Sequence, residues 1–150
     1  MKSKNQDTIN KLKQFFSPKR IGRLVFNISL ILPGLFFLFT GFQWLVSPES
    51  GASALTMPML SGAGLSSQIG DIGGLFMAMG LLTMTAVTTR KRDLLFSVGL
   101  LLSCIAVYRF LAFSLHDATL IVQSVALEIV LAIWFFIASK KLPLKEQENE

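Results

Sequence analysis

One cysteine and one histidine in 150 residues leave little for disulfide frameworks, thiol chemistry or metal centres to use. Cys104 alone forms no internal disulfide and no CxxC redox pair. Its place inside an apolar run reads as a small buried side chain. His116 has no second imidazole or thiolate near it, so zinc-ligand spacing is missing. No nucleotide-binding loop and no nucleophile–base pair is present. Charge is scarce too, at 15% of the chain. Set against 52% hydrophobic residues and a mean hydropathy of +0.59, charge this sparse excludes an ordinary soluble domain.

What is present is a set of four long apolar runs. Each is roughly 20 residues, the length that crosses a hydrocarbon core about 30 Å thick. They fall at about 24–46, 67–89, 94–115 and 118–139, and together form one transmembrane domain over 24–139. The expected fold is all-α: a polytopic membrane protein, an antiparallel four-transmembrane-helix bundle with an N-terminal interfacial helix. That interfacial helix belongs to the basic segment 1–23, where Ile9, Leu12 and Phe16 share a helical face and Pro18 is expected to end it. Residues 140–150 form a charged tail.

Pro33-Gly34 predicts a kink in the first span, and Trp44 falls where an interfacial aromatic anchor belongs. Ala52-Ser53-Ala54 has the form of a signal cleavage site. The apolar stretch before it is too long for a signal h-region of about 7–15 residues, so the first span reads as retained. The loop 47–66 is rich in Gly, Ser and Ala. Its apolar patch Leu55–Leu60 suits a short helix or a segment lying over the bundle.

The net charge of +5 does not point to nucleic acid, because the cations flank the apolar spans. The N-terminal segment, the Arg90-Lys91-Arg92 turn and the tail are basic, whereas the 47–66 loop has no Lys or Arg. With four spans, all basic segments share one side. The positive-inside rule makes that side the cytoplasm of a bacterial inner membrane, with both termini cytoplasmic.

Polar groups inside a bilayer are costly, so each is a functional candidate. Asp71 lies in the second span, Arg109 in the third and Glu128 in the fourth, accompanied by Gln43, Gln68 and Gln123. A rise of about 1.5 Å per residue puts Asp71 roughly 6 Å, Arg109 and Gln123 roughly 9 Å, and Glu128 roughly 15 Å from the outer end. Side chains lean toward the N-terminus of their helix, which brings Arg109 and Glu128 together and lets Asp71 approach from above. The expected cluster is Asp71, Arg109, Gln123 and Glu128, rimmed by Gln68, His116 and Asp117. Two carboxylates facing one guanidinium call for a proton or a cationic group to complete the balance. The same set also reads as an ion-pair network that fixes helix register.

Gly70, Gly74 and Ala78 recur at i, i+4 and i+8, with Gly73 and Gly80 beside them. Such small-residue faces let helix backbones approach. The expectation is packing of the second span on the third, with homodimerisation as the sharper reading. Met57, Met59 and His116 carry thioether and imidazole groups of the kind that bind Cu(I). No third methionine joins the loop pair, and no metal site or cofactor is assigned.

The segment Gly70-Asp71-Ile72-Gly73-Gly74-Leu75-Phe76, the step Tyr108-Arg109-Phe110, Glu128, and the exit Gly41-Phe42…Pro48 resemble domain of unknown function 4345. That family consists of small four-helix bacterial membrane proteins, distantly similar to DoxX-like bundles. The resemblance covers about 25–139, implies a four-helix fold, and carries over Gly73, Gly74, Arg109 and Glu128. One departure is that Gln68 and Asp71 stand where the resemblance leads one to expect a basic residue before the glycine pair.

The leading functional expectation is a non-enzymatic membrane protein. Its outward polar pocket would take a small or lipophilic ligand, or a partner. An accessory subunit associating through the glycine face comes next, then a proton- or cation-coupled transporter using Glu128, then a membrane enzyme acting on a lipid or quinone. No catalytic residue is assigned.

Overall fold

The computed structural model describes residues 18–143. The interfacial helix expected before Pro18 and the end of the tail lie outside the described residues. Pro18 opens the first described helix. A proline at the first helical position loses no hydrogen bond and has its φ already set. That helix, α1, runs Pro18–Val46 and passes through Pro33. A short helix α2 (Pro48–Ala54) comes after it.

The second span is composite. It starts as α3 (Gly62–Ser67), widens into a π-helical turn at Gln68–Gly73, and continues as α4 (Gly74–Thr89). Helix α5 is Arg92–His116 and α6 is Val122–Lys141. The fourth span therefore begins later than its hydropathy alone indicates. Asp117 takes a left-handed conformation (φ 51°), and residues 118–121 form the non-helical connection before α6.

Four stretches are long and apolar enough to cross a membrane: Arg20–Val46, Gly62–Thr89, Arg92–His116 and Val122–Lys141. Their outward surfaces match that environment. Leu32, Phe39, Leu45, Leu115 and Val130 are all more than 60% exposed. A belt of large apolar side chains this extensive is unstable in water and at ease in lipid.

Lipid is as apolar as leucine, so close packing rather than water exclusion orders the helices. Helices α1 and α4 run antiparallel at very short range. A Cβ on Gly41 would lie 2.6 Å from the Met77 backbone nitrogen, and one on Gly73 would lie 2.7 Å from Trp44 Cβ. Only glycine permits backbones so close. Gly73 and Gly80 of the second span thus serve the first helix, not the third. Gly70 and Gly74 have nothing within 4 Å of a Cβ position, and Ala78 is exposed. Helical periodicity is the physical reason: Gly73, Met77 and Gly80 share the face toward α1, and Gly74 and Ala78 fall on another, which is open.

Helices α5 and α6 form the second close pair, where the Gly99 backbone faces Phe136 and the Ala132 carbonyl. The two pairs meet through Leu30, Phe37, Met79, Leu95, Val98 and Phe135, all 0–2% exposed. Aromatic contacts Phe37–Phe135 (6.4 Å) and Phe26–Trp134 (5.9 Å) bridge α1 and α6. This seal lies toward the end that carries Arg90–Arg92, the basic end. There Arg90 Nη1 donates to Asn27 Oδ1 at 3.0 Å, and Arg92 Nε donates to the Leu142 carbonyl at 2.7 Å. The opposite end, which carries residues 47–61 and 117–121, is the loop end. Trp44 is fully buried against Gly51 and Gly73 there, and so is no lipid-facing anchor. Cys104, expected to be buried, is exposed.

Candidate functional site

Toward the loop end the two helix pairs part. Between them lies a cavity of about 380 Å³. Aromatic and aliphatic side chains form most of its wall, among them Phe37, Phe76, Met79 and Leu131. Three charged side chains reach it, namely Asp71 from the π turn, Arg109 from α5 and Glu128 from α6. Ser124 adds a hydroxyl.

Arg109 and Glu128 are 19 positions apart in sequence, on antiparallel helices joined by a short connection. Helical rise then puts them at similar height. Arg109 Nε donates to Glu128 Oε1 at 2.8 Å. The side chains are 33% and 13% exposed. The other carboxylate oxygen, Glu128 Oε2, is buried with no hydrogen-bond partner. An orphaned buried carboxylate oxygen is expensive, and it calls for a proton, a water or another polar group beside it. Asp71 borders the same space, yet among the described residues no ion pair or hydrogen bond joins it to Arg109. It is exposed where it stands.

The remaining expected members go elsewhere. Gln68 is buried but turns away from the charged trio. Its Nε2 donates to the Pro58 carbonyl at 3.0 Å, and its Oε1 accepts from the Leu60 N–H at 3.0 Å. This two-bond clasp pins the loop ahead of it. Leu55 and Met57, just before the clasped residues, line the cavity. Gln123 and His116 are exposed and border no part of the cavity. The Leu55–Leu60 apolar patch is the sequence signal for the loop's role. Nothing in the residue pattern assigns Gln68 as its fastener.

Among the described residues no three of His, Cys, Asp and Glu converge as metal ligands would. The chemistry available is that of a small polar floor in an apolar chamber. It offers carboxylate acceptors, one guanidinium, and room for an apolar body.

No curated protein and no solved structure matches the chain. Every residue around the cavity falls within 25–139, the stretch matched by the family model described as Domain of unknown function (DUF4345), and the chain belongs to that family.

Proposed function

We propose that this membrane protein holds a small amphiphile in its cavity, with the ligand's polar head against Glu128 and its apolar body along Phe37, Phe76 and Leu131. The observation that carries this reading is Glu128 Oε2, buried and without a partner beside an apolar chamber of about 380 Å³. Pockets that take small organic ligands have this character: mostly apolar, a few convergent polar groups, roughly 300–1,000 Å³. The site is a binding site, not a catalytic one.

Native mass spectrometry of the full-length protein extracted in detergent tests the reading. The wild-type protein carries a co-purifying mass, and Glu128→Gln loses it while remaining folded. Retention of that mass by the variant overturns the proposal.

A second reading is supported by the open face of Gly70, Gly74 and Ala78. In it the protein is an accessory subunit, or a homodimer, that packs this face on another transmembrane helix. A Gly70→Leu variant then loses the partner in a pull-down or the dimer in native mass spectrometry.

The setting we infer is a bacterial inner membrane, the basic end and both termini cytoplasmic and the cavity toward the periplasm. The cations at 90–92 and 140–141 and their absence from 47–66 support it. Labelling of a cysteine placed at position 55 from the periplasmic side tests it, and labelling from the cytoplasmic side alone refutes it.

A further inference from the structure

The outer face of α5 carries a groove of about 440 Å³ lined by Cys104, Ile105, Tyr108, Arg109 and Ala112. Ile105 and Arg109 line the inner cavity as well. Their two side chains are therefore the wall between chamber and outside on this flank. The flank is the one turned toward α4, since Ser103, Ala106 and Phe110 border the side of α5 shared with α6. Across the gap, Asp71 borders the cavity and is exposed. Helices α4 and α5 also pack more loosely on each other than α1 on α4 or α5 on α6.

The gap sits at membrane depth. Tyr108, in the groove, is 16 residues after Arg92, the start of its span. That is roughly 24 Å from the basic end at about 1.5 Å per residue, inside a core about 30 Å thick. A molecule using this gap comes from the lipid, not from water. The groups it meets on the way are Asp71, Arg109 and then Glu128, two carboxylates against one guanidinium. This balance favours a head group that donates hydrogen bonds or carries positive charge, and disfavours an anion. A chamber of about 380 Å³ is at the small end for organic ligands, which suits one chain rather than a two-chain phospholipid.

We infer that the cavity is loaded sideways from the bilayer, through the gap between α4 and α5 gated by Arg109 and Tyr108, and that its occupant is a single-chain amphiphile with an amine head. This inference rests on the ligand-holding reading above and adds its route and its class.

The test uses the full-length protein in phosphatidylcholine nanodiscs, with dodecylamine, dodecanol and dodecanoate as probes, and timed native mass spectrometry as the readout. Wild-type protein is expected to retain dodecylamine in preference to dodecanoate. In Ala112→Trp, where the added ring fills the outer groove, loading slows roughly tenfold or more while final occupancy is kept. Tyr108→Ala, at a side chain 73% exposed and so harmless to the fold, loads faster than wild type. If Ala112→Trp and Tyr108→Ala both load at the wild-type rate, the lateral route is wrong and the ligand reading stands. If loading slows in Met57→Trp alone, the route runs through the loop end and the inference is likewise wrong. Preference for dodecanoate overturns the amine class. Retention of none of the three probes by wild-type protein overturns the whole inference together with the chamber's role for such amphiphiles.

Discussion

At the basic end, Leu95, Val98, Phe135, Ala138 and Leu142 are fully buried between the helices. At the loop end the same four helices enclose a cavity, the Arg109–Glu128 ion pair and an unpartnered carboxylate oxygen. Both halves are built from similarly apolar segments, so hydropathy does not distinguish them. What differs is what stands between the helix pairs. Interlocked rings and aliphatic side chains fill one half. In the other, three charged side chains and a clasped loop hold a space open. On the proposed reading, the sealed half is the base and the unsealed half is the part that exchanges its contents.

The comparison breaks most visibly where the sealed half is opened. Phe135→Ala removes a fully buried ring between α1 and α6, and a loss of about 3–5 kcal/mol is expected in unfolding from detergent. A loss below about 1 kcal/mol would mean the seal contributes no more than an ordinary surface position. Next comes the ion pair. Arg109→Ala leaves Glu128 beside the cavity without its partner, and about 2–3 kcal/mol is expected from this partly exposed pair. The double variant Arg109→Met/Glu128→Met should recover most of that loss if the charges serve binding rather than stability. Failure to recover assigns them to packing.

Gln68→Ala removes two hydrogen bonds to the 58–60 backbone, a cost of about 1–2 kcal/mol. Its more telling readout is amide exchange, which should rise at residues 55–60 and stay unchanged at the basic end. The smallest effect sharpens the contrast between two glycines of neighbouring spans. Gly41→Leu forces α1 from α4 and costs about 1–3 kcal/mol. Gly74→Leu, in open space, should change the melting temperature by an amount corresponding to less than about 0.5 kcal/mol. Equal effects at the two sites would show that the second span packs with a different face.

Much of the fold is legible in the residues alone. Four apolar runs give four spanning helices, because length and hydropathy are properties of a segment by itself. The Arg109–Glu128 contact is legible for a related reason. A short connection between antiparallel helices fixes their relative height, and helical rise does the rest. Asp71 borders the cavity but stands outside the ion pair. Gln123 is exposed and off the cavity, since depth says nothing of azimuth. The packing of Gly70 and Gly74 departs from expectation because a small-residue spacing names a face without naming the neighbour it meets. Gln68 is a loop fastener where a ligand group is expected. Its backbone partners lie eight and ten residues away in an irregular loop, a geometry that no period describes.

The residues alone settle that the chain has four segments long and apolar enough to cross a membrane, which end carries the cations, and that Arg109 and Glu128 fall at one height. These follow from the free energy of transferring each segment between water and hydrocarbon. The tertiary structure decided which face of each helix meets which neighbour, where the space is left, and that Glu128 has an oxygen to spare. Lipid and leucine are equally apolar, so hydropathy exerts no torque on a helix already in the bilayer. Rotation is settled only by close fit: glycines 41 and 73, the rings of Phe37 and Phe135, and one misfitting π turn.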